Sequence, residues 1–234
     1  MIFSHLIVIS KMNNKNKMKK YIFLTISIFY SLSYSQVDSD AEKLLNKVSE
    51  NIKSYNNIYI NYTYTLNNLE EDINYTNRGS FVTENDNWRF EMLGITRIFD
   101  GDKLYTISPD DEEVTISSQN PEDETTITPN KMLYFYEEGY YFEMGSVKYI
   151  GNTNFRKKIQ YVKLIPMDSE ADIKYIDLGI DTEFNQIYEV VETGKNETIT
   201  TISIIDFEFN VSLNENLFVF DSAKYEGYYM NILD

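Results

Sequence analysis

The chain has 234 residues, enough for one domain with a sizeable core. It contains no cysteine and a single histidine, His5; beyond the first residues this excludes disulfides, Ser-His-Asp and Cys-His catalysis, and zinc sites built on His or Cys. Acidic side chains outnumber basic ones 37 to 21, a net charge of −16, which excludes non-specific nucleic-acid binding and opposes adsorption to anionic membranes.

The first segment reads as an export signal. Lys17, Lys19 and Lys20 form a basic region, Tyr21 to Leu32 an apolar one, and Ser33-Tyr34-Ser35 a small-residue cleavage site. The apolar run is too short to span a bilayer. We expect residues 1–35 to be removed, with Met18 as an alternative start, and residues 36–234 to form one domain. Removing the leader's five lysines leaves 16 basic against 37 acidic side chains, a net charge of −21. No cysteine follows the leader, so no lipid anchor is expected. Aromatic residues make up 15% of the chain, more than a disordered acidic segment carries.

The first element of the remainder is a helix. Ser39 and Glu42 fit a capping box, and Ala41, Leu44, Leu45, Val48 and Ile52 fall on one stripe. Tyr55 and Asn56-Asn57 end it. The period then changes to two: Ile58, Ile60, Tyr62, Tyr64 and Leu66 share one face of a strand, and Tyr59, Asn61, Thr63 and Thr65 the other. Further strand-like runs follow at 73–83, 87–92, 95–100, 103–108 and 113–118, joined by short polar links. Asp100-Gly101 between two such runs is a strong hairpin signal. Short links between successive strands make antiparallel neighbours.

This meander is interrupted at 119–138. "SQNPEDETTI" is an acidic loop. Thr128-Pro129 supplies an N-cap and a first-turn proline, Met132, Leu133, Phe135 and Tyr136 supply an apolar helix, and Gly139 ends it. Strand signals resume at 147–151, 157–166, 173–181, 186–193, 197–206 and 217–220. The sum is one large antiparallel sheet of about 11 strands, curled by its twist. An N-terminal helix and a short internal helix cover part of its concave face. Two short helices cannot cover all of it, and the remainder is an apolar trough or a filled core.

The clustered acids of "SPDDEEV" and "NPEDE" offer paired carboxylates or calcium ligands. They sit in turn-like segments where charge runs are ordinarily solvated, and the ordered calcium loop D-x-[DN]-x-[DN]-G is absent. No catalytic residue, metal or cofactor is assigned, and the chain is not expected to be an enzyme.

The ordered set of segments resembles the periplasmic lipoprotein carrier family typified by LolA. It runs from the helix "DAEKLLNKVSENIKSYNNI" and the strand "YINYTYTL" through "GSFVTENDNWRFEM", "RIFDGDKLYTISPDDEEVTI" and "ITPNKMLYFY" to "IKYIDLGIDTEFNQIYEVV" and "NENLFVFD". The similarity spans residues 37–222, and its strongest piece is the series around Asp100, Gly101, Tyr105 and Pro109. The resemblance implies an incomplete β-barrel of 11 strands closed by helices, acting in the periplasm. Its hydrophobic cavity would shield the acyl chains of lipoproteins received from an inner-membrane ATP-driven release complex and handed to the outer membrane. The outer-membrane acceptor is not assigned, and the chain is expected to be a monomer. A lipid-binding or lipid-sensing envelope module of the same fold is the alternative.

The cavity lining expected on this basis is Tyr62, Tyr64, Trp88, Phe90, Phe99 and Tyr105 from strands, Leu45, Val48 and Ile52 from the first helix, and Leu133 and Phe135 from the second. Met92, Met132 and Met144 are either adaptable lining or core filler. Two departures stand out. Glu84-Asn85 occupies the place where the family often has a basic residue and proline, so no release role is carried over. The tail "AKYEGYYMNILD" differs from the family's Pro-Gly-containing end.

Overall fold

The computed structural model describes residues 38–118, 129–151 and 156–233. The expected leader, residues 1–35, lies outside them, as do residues 119–127 of the acidic loop "SQNPEDETTI" and Thr128. The chain divides into two units, residues 1–39 and 40–234, and the second carries the whole sheet.

The helix α1 spans Ser39–Lys53. Its buried residues are Ala41, Leu45, Val48, Ser49 and Ile52, so the stripe read from the spacing is the face that packs. Leu44, at the margin of the stripe, is only half-buried. Asn51 donates to the carbonyls of Phe184 at 2.7 Å and Asn185 at 3.2 Å, which fastens the last turn of the helix to a distant hairpin.

Among the described residues twelve strands follow: β1 Asn57–Asn68, β2 Ile73–Glu84, β3 Asn87–Met92, β4 Ile95–Phe99, β5 Lys103–Ser108, β6 Glu113–Ser118, β7 Tyr140–Gly151, β8 Arg156–Pro166, β9 Ile173–Asp181, β10 Gln186–Gly194, β11 Ile199–Phe209 and β12 Tyr229–Leu233. They form one open sheet in the order β12-β6-β5-β4-β3-β2-β1-β11-β10-β9-β8-β7. This is mainly β, an incomplete barrel of one strand more than expected. β1 is the hinge of the order. It pairs with β2 on one side and with β11 on the other, both antiparallel, so the chain lays down one half of the sheet outward from β1 and the second half inward from β7. The Asp100-Gly101 turn forms as expected. Asp100 accepts from the amides of Asp102 and Lys103 at 3.0 and 2.8 Å, and Gly101 takes a φ of +95° that a side chain would strain.

Three elements differ from the expectation. The internal helix α2 covers only Pro129–Leu133; Phe135 and Tyr136 follow it in a turn, because Glu137 already donates back to Tyr134 at 2.9 Å. β7 begins at Tyr140 rather than at 147 and carries a bulge between Met144 and Val147. A bulge breaks the alternation that the expected strand boundary relied on. Residues 217–220 are not a strand. Turns close there through Leu217 to Asn214 and Val219 to Asn216. The added strand is instead β12, which lies parallel to β6.

Two apolar clusters result among the described residues. The larger lies between α1, α2 and one face of the sheet and includes Ile58, Ile60, Phe81, Trp88, Leu164, Ile176 and Leu178. The smaller is Ile98, Ile107 and Val114 on the other face of β4–β6, covered by Phe220, Tyr225, Tyr228 and Met230 from the C-terminal segment.

Candidate functional site

The larger cluster is not solid. A cavity of about 500 Å³ lies within it, partly open to solvent among the described residues, and its size falls within the range of small-molecule sites. Alternation builds its wall. In β1, Ile60, Tyr62 and Tyr64 face inward. Their neighbours across the β1–β11 ladder are Phe207, Ile204 and Ile202, which line the cavity as well. Phe81 pairs with Ile60 on the other side, and Phe90 pairs with Phe81. From β9 and β10 come Ile176, Ile187, Val190 and Glu192, and from the α2 region Lys131, Met132, Leu133 and Phe135.

Helix and turn are bolted together at the cavity's side. The Ser49 and Tyr136 hydroxyls lie 3.1 Å apart, with Tyr136 fully buried. Burial pushes the Tyr136 phenol up to about 12, against the opposing effect of the Ser49 hydrogen bond. Lys53 and Glu137 form an ion pair at 3.0 Å. Hydrogen bonding to Lys53 and to Ser49 holds the Glu137 carboxyl below its ordinary value.

Tyr62 is fixed in place. Its hydroxyl donates to the Glu91 carbonyl at 3.0 Å, its ring stacks on Phe90 at 6.4 Å, and it rests on Gly79. A Cβ at Gly79 would come within 2.4 Å of that ring, so only glycine leaves room there. Burial also raises the Tyr62 phenol strongly.

The structure brings five of the eleven residues named from the sequence onto this wall: Tyr62, Tyr64, Phe90, Leu133 and Phe135. Leu45, Val48 and Ile52 are at most 3% exposed and fill the seam between α1 and the sheet. Trp88 is 1% exposed and stacks on Phe99 at 6.2 Å, which places both in packed core beside the cavity. Tyr105 is on the wrong side. It pairs with Ile98, and its ring stacks on Phe220 at 4.5 Å in the smaller cluster. A shift of one residue in strand alternation exchanges the two faces, and Leu104, not Tyr105, packs against the larger cluster. Of the methionines, Met92 and Met132 line the cavity and Met144 packs against the core.

The wall residues missed are mostly on β9–β11. Ile60 was legible, since it shares a face with Tyr62. Ile202, Ile204 and Phe207 become lining only through pairing with a strand about 140 residues earlier, which no local pattern carries. Glu192 gave no signal, as one of two acids in an otherwise β-branched and polar strand.

The described residues contain no helix long and apolar enough to cross a membrane. No protein-family model matches the chain, and no curated protein matches it. Solved structures do. An uncharacterized conserved protein from Thermus thermophilus superimposes with a TM-score of 0.53 at 8% identity, covering 83% of this chain and 99% of its own. A domain assigned to outer-membrane lipoprotein sorting from Vibrio parahaemolyticus matches at a TM-score of 0.41 and 11% identity, over 77% of this chain and 97% of that one. A LolA superfamily protein from Nitrosomonas europaea matches at 0.38 and 11%, over 77% and 98%. At these identities the likeness is one of fold alone: a mainly β, open sheet with helices over one face, the incomplete barrel expected from the sequence.

Proposed function

We propose that the chain is an exported carrier that holds acyl chains in the cavity and ferries lipoproteins between the inner and outer membranes. The observation that carries this reading is the hollow itself. The concave face of a 12-stranded sheet is lined by aliphatic and aromatic side chains, and the chain's own side chains leave about 500 Å³ of it unfilled. Burial is worth about 0.8 kcal/mol per methylene, so one long acyl chain exposed to water represents roughly 10 kcal/mol. A carrier need only match that with a comparable lining, and no bond has to be made or broken. The cargo on this reading is an acylated lipoprotein delivered by an ATP-driven release complex of the inner membrane. The sequence resemblance supports it, and so does the absence of His and Cys beyond the leader.

The test is to express the full chain with its own leader, purify it from the periplasm without detergent, and identify bound species by native mass spectrometry. Acylated proteins bound in a one-to-one complex are the expected result. Phospholipid alone would reduce the reading to a lipid-binding module. A protein that carries nothing and takes up no acyl probe would overturn it.

A further inference from the structure

The two ends of the cavity wall differ chemically. At one end Ile60, Phe81 and Phe90 follow one another across the sheet. Along β10, Val190 is opposite Ile202, and two residues on the same face brings the wall to Glu192, opposite Ile176 and Thr200. Glu192 is half-buried on this wall. Among the described residues its carboxyl makes no side-chain hydrogen bond or ion pair, and burial alone raises its pKa. Tyr140 also lines this end, close enough that the Glu192 charge raises its phenol further. Lys131, the other charged side chain on this wall among the described residues, is exposed.

A carboxylate half-withdrawn from water on an apolar wall, with no side-chain partner among the described residues, is destabilised in proportion to its burial. It contributes nothing to holding the sheet together, since its strand is already paired on both sides. What would satisfy it is a donor carried in by the ligand. We propose that Glu192 sets the head-group preference of the cavity: it accepts an acyl ligand whose polar end offers an N–H or O–H donor or an ammonium, and it turns away a free fatty-acid carboxylate. This rests on the cavity binding acyl chains, as argued above, and adds to it which end of the chain is read and how. The alkyl tail runs toward Phe81 and Phe90 and the polar end stays beside Glu192.

Three ligands of one chain length separate the possibilities: dodecylamine, 1-monododecanoylglycerol and dodecanoate, each titrated calorimetrically at pH 7.5 below its micelle concentration. A hydrogen bond to a charged acceptor corresponds to about tenfold in affinity or more. The amine and the glyceride are therefore expected to bind at least about tenfold more tightly than the carboxylate. Glu192→Gln keeps the shape and removes the charge, and it should bring the three to within a few-fold. Glu71→Gln, in the exposed β1–β2 turn, removes the same charge from the acidic protein as a whole and should leave the order unchanged. Equal affinities in the wild type, an order that persists in Glu192→Gln, or an order lost equally in Glu71→Gln would each overturn the assignment. Failure of the folded wild type to bind any of the three would remove the acyl-binding reading itself, an outcome distinct from binding without preference.

Discussion

Partly filling the hollow should weaken binding without unfolding the protein, and Ile202→Trp is the cleanest way to do it. Ile202 is half-buried, lines the cavity, and is the ladder partner of both Tyr64 and Val190. An indole there has empty volume on one side and an aromatic cross-strand neighbour on the other. Aromatic pairs across strands contribute roughly 0.2–1 kcal/mol, so the melting temperature should hold or rise slightly. The side chain gains six heavy atoms inside a space of about 500 Å³. That is the room of two to three methylenes, which at about 0.8 kcal/mol each comes to about 2 kcal/mol. The expected change is a rise of roughly 30-fold in the Kd of a fluorescent acyl probe. Displacement of the probe measures it, with the thermal melt run on the same samples. A variant that melts like wild type and binds the probe equally well would refute the argument, because acyl chains would then not occupy this space.

Gly79→Ala places a methyl against the Tyr62 ring and the Glu91 carbonyl, both 2.4 Å away; urea unfolding should show a loss of about 1–3 kcal/mol, typical of overpacking. Tyr105→Ala breaks the stack on Phe220 in the smaller cluster. It should lower stability by about 1–3 kcal/mol while leaving probe affinity at the wild-type value, the opposite pattern to Ile202→Trp. Glu192 is a carboxyl whose folded-state pKa is raised by burial above its ordinary value of 4.5. Its ionisation therefore costs stability that is absent at low pH and appears as pH rises through 4.5. Tyr140, the titratable group beside it, stays neutral throughout that range. Glu192→Gln should be more stable than wild type at pH 7, with the difference closing as the pH falls towards 4.5 and gone below it, as followed by denaturation at a series of pH values.

Local pattern determined much of this protein. The apolar stripe of α1, the alternation of β1, the turn at Asp100-Gly101 and the meander β2–β6 were all legible, because each is fixed by residues within a few positions of one another. So was an apolar face wider than two short helices can cover, but whether it encloses a hollow or a filled core was not. Which residues face it was only partly legible. Tyr62 and Tyr64 were placed together by alternation, but the choice between faces of β4 and β5 sent Tyr105 to the wrong one. Nothing local distinguishes an inner apolar face from an outer one when both are covered, and here the C-terminal segment covers the outer face with Phe220, Tyr225 and Tyr228.

Tertiary structure decided the rest. The pairing of β1 with β11 turned Ile202, Ile204 and Phe207 into cavity wall. The bulge in β7 moved its start to Tyr140, and the parallel pairing of β12 with β6 converted a divergent tail into an edge strand. Each depends on contacts between residues far apart in the chain, whose register is set by the packing of the whole sheet and not by the sequence on either side. The same holds for Glu192, an ordinary acid in a strand until folding places it at one end of an apolar hollow with no side-chain partner among the described residues.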